Sequence, residues 1–187
     1  MDHPVQLVIT DDLRRNRFTV LFRLLLVLPH LIWMMLWGFA AVFVLLFAWF
    51  AALFTKRVPS GAHDFLASYV RYQTQVFAYA VIAADPFPSF SGTAAYPITL
   101  EIAPPVEQGR LGIFFRLLLA LPAWLVSSVL NYLTELLAFF AWVVGVLLGR
   151  TPEGLRNLLA FSIRYHAQTQ AYVNLLTSRY PSLNVGI

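Results

Sequence analysis

Long apolar stretches alternate with short polar segments along this chain of 187 residues, and the same order of segments occurs twice. Each half begins with a stretch of period two that is rich in β-branched residues, which is typical of a strand. An arginine-bearing amphipathic segment, a long apolar helix and a less apolar helix follow. In the first half these elements are predicted over residues 4–9, 13–28, 31–54 and 61–84, and in the second half over 97–102, 106–121, 123–148 and 154–177.

The two halves align at a constant offset of 93 residues without an insertion. Residues 3–90 and 96–183 share 26 identities in 88 pairs, among them matched prolines, glycines, arginines, tyrosines and glutamines. Apolar composition alone would not match these residue types, so the chain is a tandem duplication. We predict a first repeat over 1–90, a linker over 91–95 at the end of the turn-rich DPFPSFSGTAA segment, and a second repeat over 96–187.

The longest apolar run is too long for one perpendicular membrane crossing. From residue 20 to 54 only Arg23 and His30 interrupt it, and 35 helical residues would span about 52 Å, against about 30 Å of hydrocarbon. Since proline lacks an amide proton, we predict a break at Pro29, and at Pro122 in the second copy. The segment before each proline is expected to lie at the interface, and a re-entrant hairpin is the alternative.

Composition places the chain among membrane proteins. It is 59% hydrophobic and 12% charged, whereas soluble domains are roughly 45–50% apolar and about 25% charged. The net charge of +4 comes with cations beside apolar runs, which favours anionic lipid headgroups rather than nucleic acid. The predicted headgroup contacts are Arg14, Arg15, Arg17, Arg23 and Arg116.

The fold class predicted is an all-α integral membrane protein in which each repeat forms a helical hairpin and the two repeats run parallel, with four spans in total. An even number of crossings per repeat leaves both strands on one side of the membrane, where they can pair as a small sheet. The distribution of cations favours a cytoplasmic location for this sheet and for the termini. We therefore expect a multi-pass protein of the bacterial cytoplasmic membrane.

A polar stripe recurs on the fourth element of each repeat, as the pattern RYxxQxxxY. Arg71 and Gln75 lie on one helix face in the first copy, and Arg164 and Gln168 occupy the same positions in the second. The stripe either lines a binding surface for a headgroup or an anion, or anchors the helix at the interface through its arginine and tyrosines.

A second polar stripe breaks the symmetry of the repeats. Asn131 and Glu135 follow Ser127 at intervals of four residues, where the first repeat has Met34, Gly38 and Val42. A carboxylate inside a predicted span suggests a functional site, and proton or solute handling is one interpretation. Helix packing and contact with a partner protein are the others.

The sequence predicts no catalytic residue, no cofactor and no metal site. Cysteine is absent, which excludes thiolate chemistry and disulfides. The four histidines lack metal-ligand spacing, and His63 beside Asp64 fits a helix first turn better than an acid–base pair. We therefore expect that the protein is not an enzyme.

The residues resemble a known family. The segments HPVQLVI, LFRLLLVLPHLI, FAWFAALFTKRVPSGAHDFL and DPFPSF are similar to domain of unknown function family 4389, a bacterial membrane domain, and YPITLEI, FFRLLLALP and SRYPSL resemble a more diverged second copy. The resemblance implies a membrane location and carries no activity.

The functional prediction is an accessory or scaffold subunit that packs against lipid and against other membrane proteins or copies of itself, without nucleic acid. The alternative is a channel or transporter for a small solute, an ion or a lipid. In that case Arg71, Arg164 and Glu135 should converge on a water-filled cavity.

Overall fold

A computed structural model describes residues 3–184, and these fold into two similar, mostly helical repeats. Each repeat consists of one strand, one short helix, one helix of 33 residues and one of 21 residues. The first repeat contains β1 (Val5–Ile9), α1 (Arg17–Leu21), α2 (Arg23–Thr55) and α3 (Ser60–Ala80), and the second contains β2 (Ile98–Ile102), α4 (Arg110–Phe114), α5 (Arg116–Leu148) and α6 (Glu153–Val173). The predictions of two repeats and of helix as the main structure are confirmed.

The predicted break at Pro29 and Pro122 is wrong. Both prolines lie inside the long helices, and the chain bends instead at Phe22 and Phe115, seven residues earlier. An interior proline removes one backbone hydrogen bond without ending a helix that packing holds in place. The predicted interfacial segments over 13–28 and 106–121 are accordingly reduced to the five-residue helices α1 and α4.

The two strands pair, as predicted. β1 and β2 form an antiparallel two-stranded sheet in which Leu7 lies opposite Leu100, its own counterpart in the second repeat. The face containing these leucines packs on α3 and α6, with Leu100 buried. On the other face Gln6 and Glu101 lie opposite each other and are exposed.

The repeats run antiparallel to each other, rather than in the parallel arrangement that was predicted. At one end of the molecule the Arg15 amide donates to Gly149 O at 2.9 Å, which joins the segment before α1 to the end of α5. At the other end the Gln108 amide donates to Lys56 O at 2.8 Å, which joins the segment before α4 to the end of α2. A pseudo-two-fold axis therefore passes between Leu7 and Leu100, normal to the sheet and perpendicular to the long helices.

The helices form a layer in the order α2, α3, α6, α5. The two 21-residue helices occupy its centre, where Leu66 and Val70 of α3 share a buried cluster with Ala167 and Ala171 of α6. Each short helix packs on the long helix of the other repeat, α1 on α5 and α4 on α2. The two repeats are thus interlocked at both ends.

Two helices of the described chain, α2 and α5, are long and apolar enough to cross a membrane. The four spans predicted from the sequence are not found, because α3 and α6 bury polar stripes in the interior instead of presenting apolar faces outward. The predicted position of the termini rests on residues 1–2 and 185–187, which lie outside the described residues.

Candidate functional site

The arginine of the first FRLLL segment lies inside the protein. Arg23 is 1% exposed, and its guanidinium donates to Asp85 Oδ1 at 2.9 Å and to Ala84 O at 3.3 Å. The same group lies over the ring of Tyr79, 4.0 Å from the ring centroid. A carboxylate, a carbonyl and an aromatic face together satisfy the charge of Arg23.

The second copy builds the same site without the carboxylate. Arg116 is 3% exposed, donates to Thr177 O at 3.2 Å and lies 4.2 Å from the centroid of Tyr172. Its other partner is the amide oxygen of Gln108, which is itself buried and donates to Leu175 O at 2.8 Å. Burial lowers the pKa of Arg116, since desolvation penalises the charged form.

Three of the five predicted headgroup contacts are therefore wrong. Arg23 and Arg116 are enclosed as described, and Arg15 is 4% exposed, forms an ion pair with Asp11 at 2.8 Å and donates to Ala83 O at 2.7 Å. These three guanidinium groups donate to carbonyl groups in the loops that follow α3 and α6. Arg14 and Arg17 are exposed and stay predictions.

The recurring polar stripe on α3 and α6 faces the sheet. Arg71 Nε donates to Leu100 O at 3.0 Å, and Gln75 Nε2 donates to Thr99 Oγ1 at 3.3 Å. In the second copy Gln168 Nε2 donates to Val5 O at 3.1 Å. A two-stranded sheet has two unpaired edges, and these side chains supply part of what neighbouring strands would supply in a larger sheet.

The arginine of the second stripe has different partners. Arg164 donates to Asn184 O and lies 5.5 Å from the ring centroid of Phe161. Gln168 also accepts from the Ser182 amide at 3.0 Å through Oε1. The second stripe therefore joins the C-terminal segment as well as the sheet.

The two duplicated motifs are physically coupled. The last tyrosine of RYxxQxxxY, Tyr79 or Tyr172, is the aromatic partner of the arginine of FRLLL, Arg23 or Arg116. Since each motif supplies one half of a buried contact, both halves are retained in both repeats. The geometry accounts for the repeated motifs through folding and gives neither of them a ligand.

A buried aromatic cluster surrounds His30 in the first repeat. His30 is fully buried, with its Nδ1 2.8 Å from the hydroxyl of Tyr72; its ring stacks on Phe90 at a centroid distance of 4.7 Å and contacts the tilted ring of Phe87 at 4.3 Å. Trp33 donates to Phe90 O at 2.9 Å and holds the loop over the cluster. The second repeat has Ala123 at the position of His30, so this cluster is a packing difference between the copies.

The asymmetric stripe on α5 points in two directions. Ser127 is buried and donates to Thr169 Oγ1 of α6 at 3.1 Å, so this end of the stripe joins the two helices. Asn131 is half-buried, and Glu135 is exposed on the outer face of α5. Arg71, Arg164 and Glu135 contact different surroundings, and no contact among the described residues brings them together.

The outer face of α2 is apolar along its length, and that of α5 is apolar apart from Ser128 and Glu135. Leu24 at one end of α2 is 77% exposed and Phe54 at the other end is also 77% exposed. On α5, Leu125 is 71% and Tyr132 is 74% exposed. Contiguous apolar surface on this scale is exceptional for a protein in water.

His63 and Asp64, the pair considered for acid–base chemistry, lie next to each other at the start of α3. His63 Nδ1 lies 3.5 Å from Asp64 Oδ1, but the histidine is buried whereas the carboxylate side chain is 80% exposed. Burial lowers the pKa of His63. Between residues 3 and 184, no group of three histidine, aspartate or glutamate side chains is placed to hold a metal ion.

Sequence reasoning missed the residues that complete the buried arginine sites. Asp85 lies in a loop 62 residues after Arg23, and Gln108 lies in the loop before α4, 8 residues ahead of Arg116, so no common periodicity connects them to their arginines. The one available signal was a difference between the repeats, since Gln108 stands at the position that Arg15 occupies in the first repeat.

The architecture defines a class, a duplicated helical protein with two apolar helices of membrane-crossing length. The family model for Domain of unknown function (DUF4389) matches residues 17–92 and again residues 110–183, so the chain belongs to that family and carries two copies of its domain. The matched segments begin at the short helices and leave both strands outside. No curated protein and no solved structure matches the chain.

Proposed function

We propose that the protein is a non-catalytic, membrane-embedded subunit of the bacterial cytoplasmic membrane that packs against lipid and against another membrane protein. The observation that carries this proposal is the apolar outer surface of α2 and α5, where large side chains such as Phe39 and Leu125 are about 70% exposed. Lipid removes the cost of exposing such a surface to water.

The two long helices differ in what they offer to a partner. The exposed face of α2 is apolar, whereas α5 presents Ser128, Tyr132 and Glu135 on its outer face. A carboxylate facing hydrocarbon is costly, and a hydrogen-bonding side chain of a neighbouring protein would offset that cost. We therefore assign the protein-facing role to α5 and the lipid-facing role to α2.

Transport is the alternative, and it needs Arg71, Arg164 and Glu135 to act together. Arg71 donates to Leu100 O, Arg164 donates to Asn184 O, and Glu135 is exposed on α5. These separate engagements favour the subunit role over a solute pathway. The buried tyrosines and arginines likewise have structural partners, which favours a role without catalysis.

Membrane embedding is tested first. Membranes from cells expressing the full chain are washed with alkaline carbonate and with urea, and the protein is expected to remain in the pellet until detergent is added. Release into the aqueous fraction as a monodisperse species would overturn the proposal.

The partner face is tested with a photo-crosslinking amino acid at Tyr132 and, as a matched control, at its counterpart Phe39. Both sites are about equally exposed, at 74% and 70%. We expect a defined protein adduct from Tyr132, lost in Glu135→Val, and lipid adducts alone from Phe39. Equal protein adducts from both positions would contradict the assignment of α5.

A further inference from the structure

The two ends of the molecule carry similar sets of exposed cations. At each end, the segment preceding the short helix of one repeat meets the C-terminal end of the long helix of the other repeat. We call these places the first junction, where Leu13 accepts from the Thr151 amide at 2.9 Å, and the second junction, where Arg57 Nη2 donates to Pro105 O at 2.8 Å. The cations are Arg14, Arg17 and Arg150 at the first junction, and Lys56, Arg57 and Arg110 at the second.

The junctions correspond to each other through the pseudo-two-fold axis. Arg17 and Arg110 are equivalent positions in the two repeats, and so are Arg57 and Arg150. A surface cavity lies at each junction, with a volume of about 500 Å³ at the first and about 590 Å³ at the second. Arg14 and Arg150 line the first cavity together with Asp12 and Glu153, and Lys56 and Arg110 line the second together with Glu107. Asp12 is engaged with the Arg14 amide at 3.0 Å, and Glu153 lies 3.7 Å from Arg156.

The sheet determines which way the molecule can sit in lipid. Its outer face presents Gln6 and Glu101, both exposed. Hydrocarbon cannot satisfy a carboxylate. If α2 and α5 crossed the bilayer, the sheet would lie at mid-depth, because the two-fold axis passes through its centre. The sheet therefore faces water, and the axis stands along the membrane normal.

Helix length and charge agree with this orientation. A helix of 33 residues is about 50 Å long, which exceeds the roughly 30 Å of hydrocarbon but fits within the plane of the membrane. The ends of the molecule also differ little in charge, whereas a spanning protein carries its cations mainly on one side. Residues near one end are Arg14, Arg15, Arg17, Arg23, Arg150 and Arg156, and those near the other are Lys56, Arg57, Arg110, Arg116 and Arg179.

We propose that the two junctions are a matched pair of sites for the phosphate of anionic phospholipid headgroups, both in one leaflet, with α2 and α5 lying in the plane of that leaflet. Guanidinium groups suit phosphate oxygens because they donate in a planar fork. The pseudo-two-fold axis places both sites at the same depth. This inference rests on the proposed membrane function and adds the orientation, the number of lipid sites and their chemistry.

Side-specific labelling tests the orientation, and the cysteine-free chain makes it clean. Single cysteines replace Glu153 at the first junction, Glu107 at the second and Gln6 on the sheet, none of which is a proposed phosphate ligand. An impermeant maleimide is applied to intact cells and to inverted membrane vesicles. We expect all three positions to be labelled from the same side. Labelling of Glu107→Cys and Glu153→Cys from opposite sides would overturn the proposal.

Native mass spectrometry of the full chain, extracted in mild detergent with phosphatidylglycerol, tests the sites. The wild type is expected to retain two phosphatidylglycerol molecules. Arg17→Gln with Arg150→Gln should remove one, and Arg57→Gln with Arg110→Gln should remove the other, each weakening its site roughly 30-fold for two lost cations. The corresponding Arg→Lys pairs keep the charge and should retain lipid.

Unchanged lipid retention in both glutamine pairs would overturn the headgroup sites. This failure is distinct from failure of the proposed function, in which carbonate would already have released the chain from membranes. Loss of lipid from the glutamine pair at one junction but not at the other would also contradict the proposal, because the proposal requires two equivalent sites.

Discussion

The two repeats each bury an arginine at the start of the long helix, but the charged groups around it differ. In the first, the buried Arg23 is paired with Asp85, and Arg15 is paired with Asp11. At the positions of Asp85, Asp11 and Arg15 the second repeat has Ser178, Pro104 and Gln108. Arg116 nevertheless lies as deep as Arg23 does. The carboxylate is therefore not needed to bury the arginine.

The shared part explains why. Both arginines donate to a carbonyl in the loop that follows a 21-residue helix, Ala84 O or Thr177 O, and both lie over a tyrosine ring. The C-terminal end of a helix carries partial negative charge and unpaired carbonyl oxygens. In both repeats the guanidinium group donates to a loop carbonyl just beyond this negative end of the helix.

The largest effect is expected from removing the two arginines in turn. Arg23→Leu leaves Asp85 without its cation and should lower the free energy of unfolding by about 3 kcal/mol. Arg116→Leu leaves no carboxylate behind and should cost about 1–2 kcal/mol. Denaturation of both variants in matched detergent micelles measures the difference. Equal losses of stability in the two variants would show that the unpaired Asp85 adds nothing to the cost of removing Arg23.

Replacing the glutamines of the two polar stripes should change the free energy of unfolding less than replacing the buried arginines does. Gln168 makes two hydrogen bonds, to Val5 O and from the Ser182 amide, whereas Gln75 donates once, to Thr99. Gln168→Ala is therefore expected to lower the free energy of unfolding by about 2 kcal/mol, and Gln75→Ala by about 1 kcal/mol. Proteolysis near β1 and β2 provides a second measurement. A larger loss in Gln75→Ala would contradict the predicted order.

Restoring the missing carboxylate sharpens the comparison from the other side. Ser178 is the counterpart of Asp85, so Ser178→Asp brings a carboxylate toward Arg116. We expect a gain of about 1 kcal/mol in the free energy of unfolding, since hydrogen bonds to charged groups are stronger than neutral ones. Ser178→Asn is the isosteric control and should gain less. Equal stability of the two variants would mean that Gln108 already saturates Arg116.

The smallest effect concerns pH. His63 is buried, and its counterpart in the second repeat is Arg156. Burial lowers the pKa of His63 below 6.5, so the unfolded chain binds a proton where the folded protein does not. Stability should therefore fall as the pH drops below about 6.5, and His63→Gln should reduce that slope slightly. An unchanged slope between pH 7.5 and 5 would contradict this role.

Periodicity and the duplication predicted the elements well, because both are local in the chain or recur at a fixed offset. The repeats, the strands and their pairing follow from the alternation at residues 4–9 and 97–102 and from the 93-residue offset. Helix length was misjudged because the effect of Pro29 depends on packing by α3, which no local pattern reveals. The direction of the polar stripes was undetermined for the same reason, since the sheet that Arg71 contacts comes from residues 98–102.

The register of the sheet has a consequence for how the chain closes on itself. Leu7 pairs with its own counterpart Leu100, and each short helix packs on the long helix of the other repeat. Such a contact is isologous, in which the same patch is used twice about a two-fold axis. Two separate copies of one repeat would meet in this way as a dimer whose formation depends on concentration. Joining them through residues 81–97 makes the encounter intramolecular. It also allows the two halves to differ in charge, and Ser178 and Gln108 replace the charged Asp85 and Arg15 in the second half.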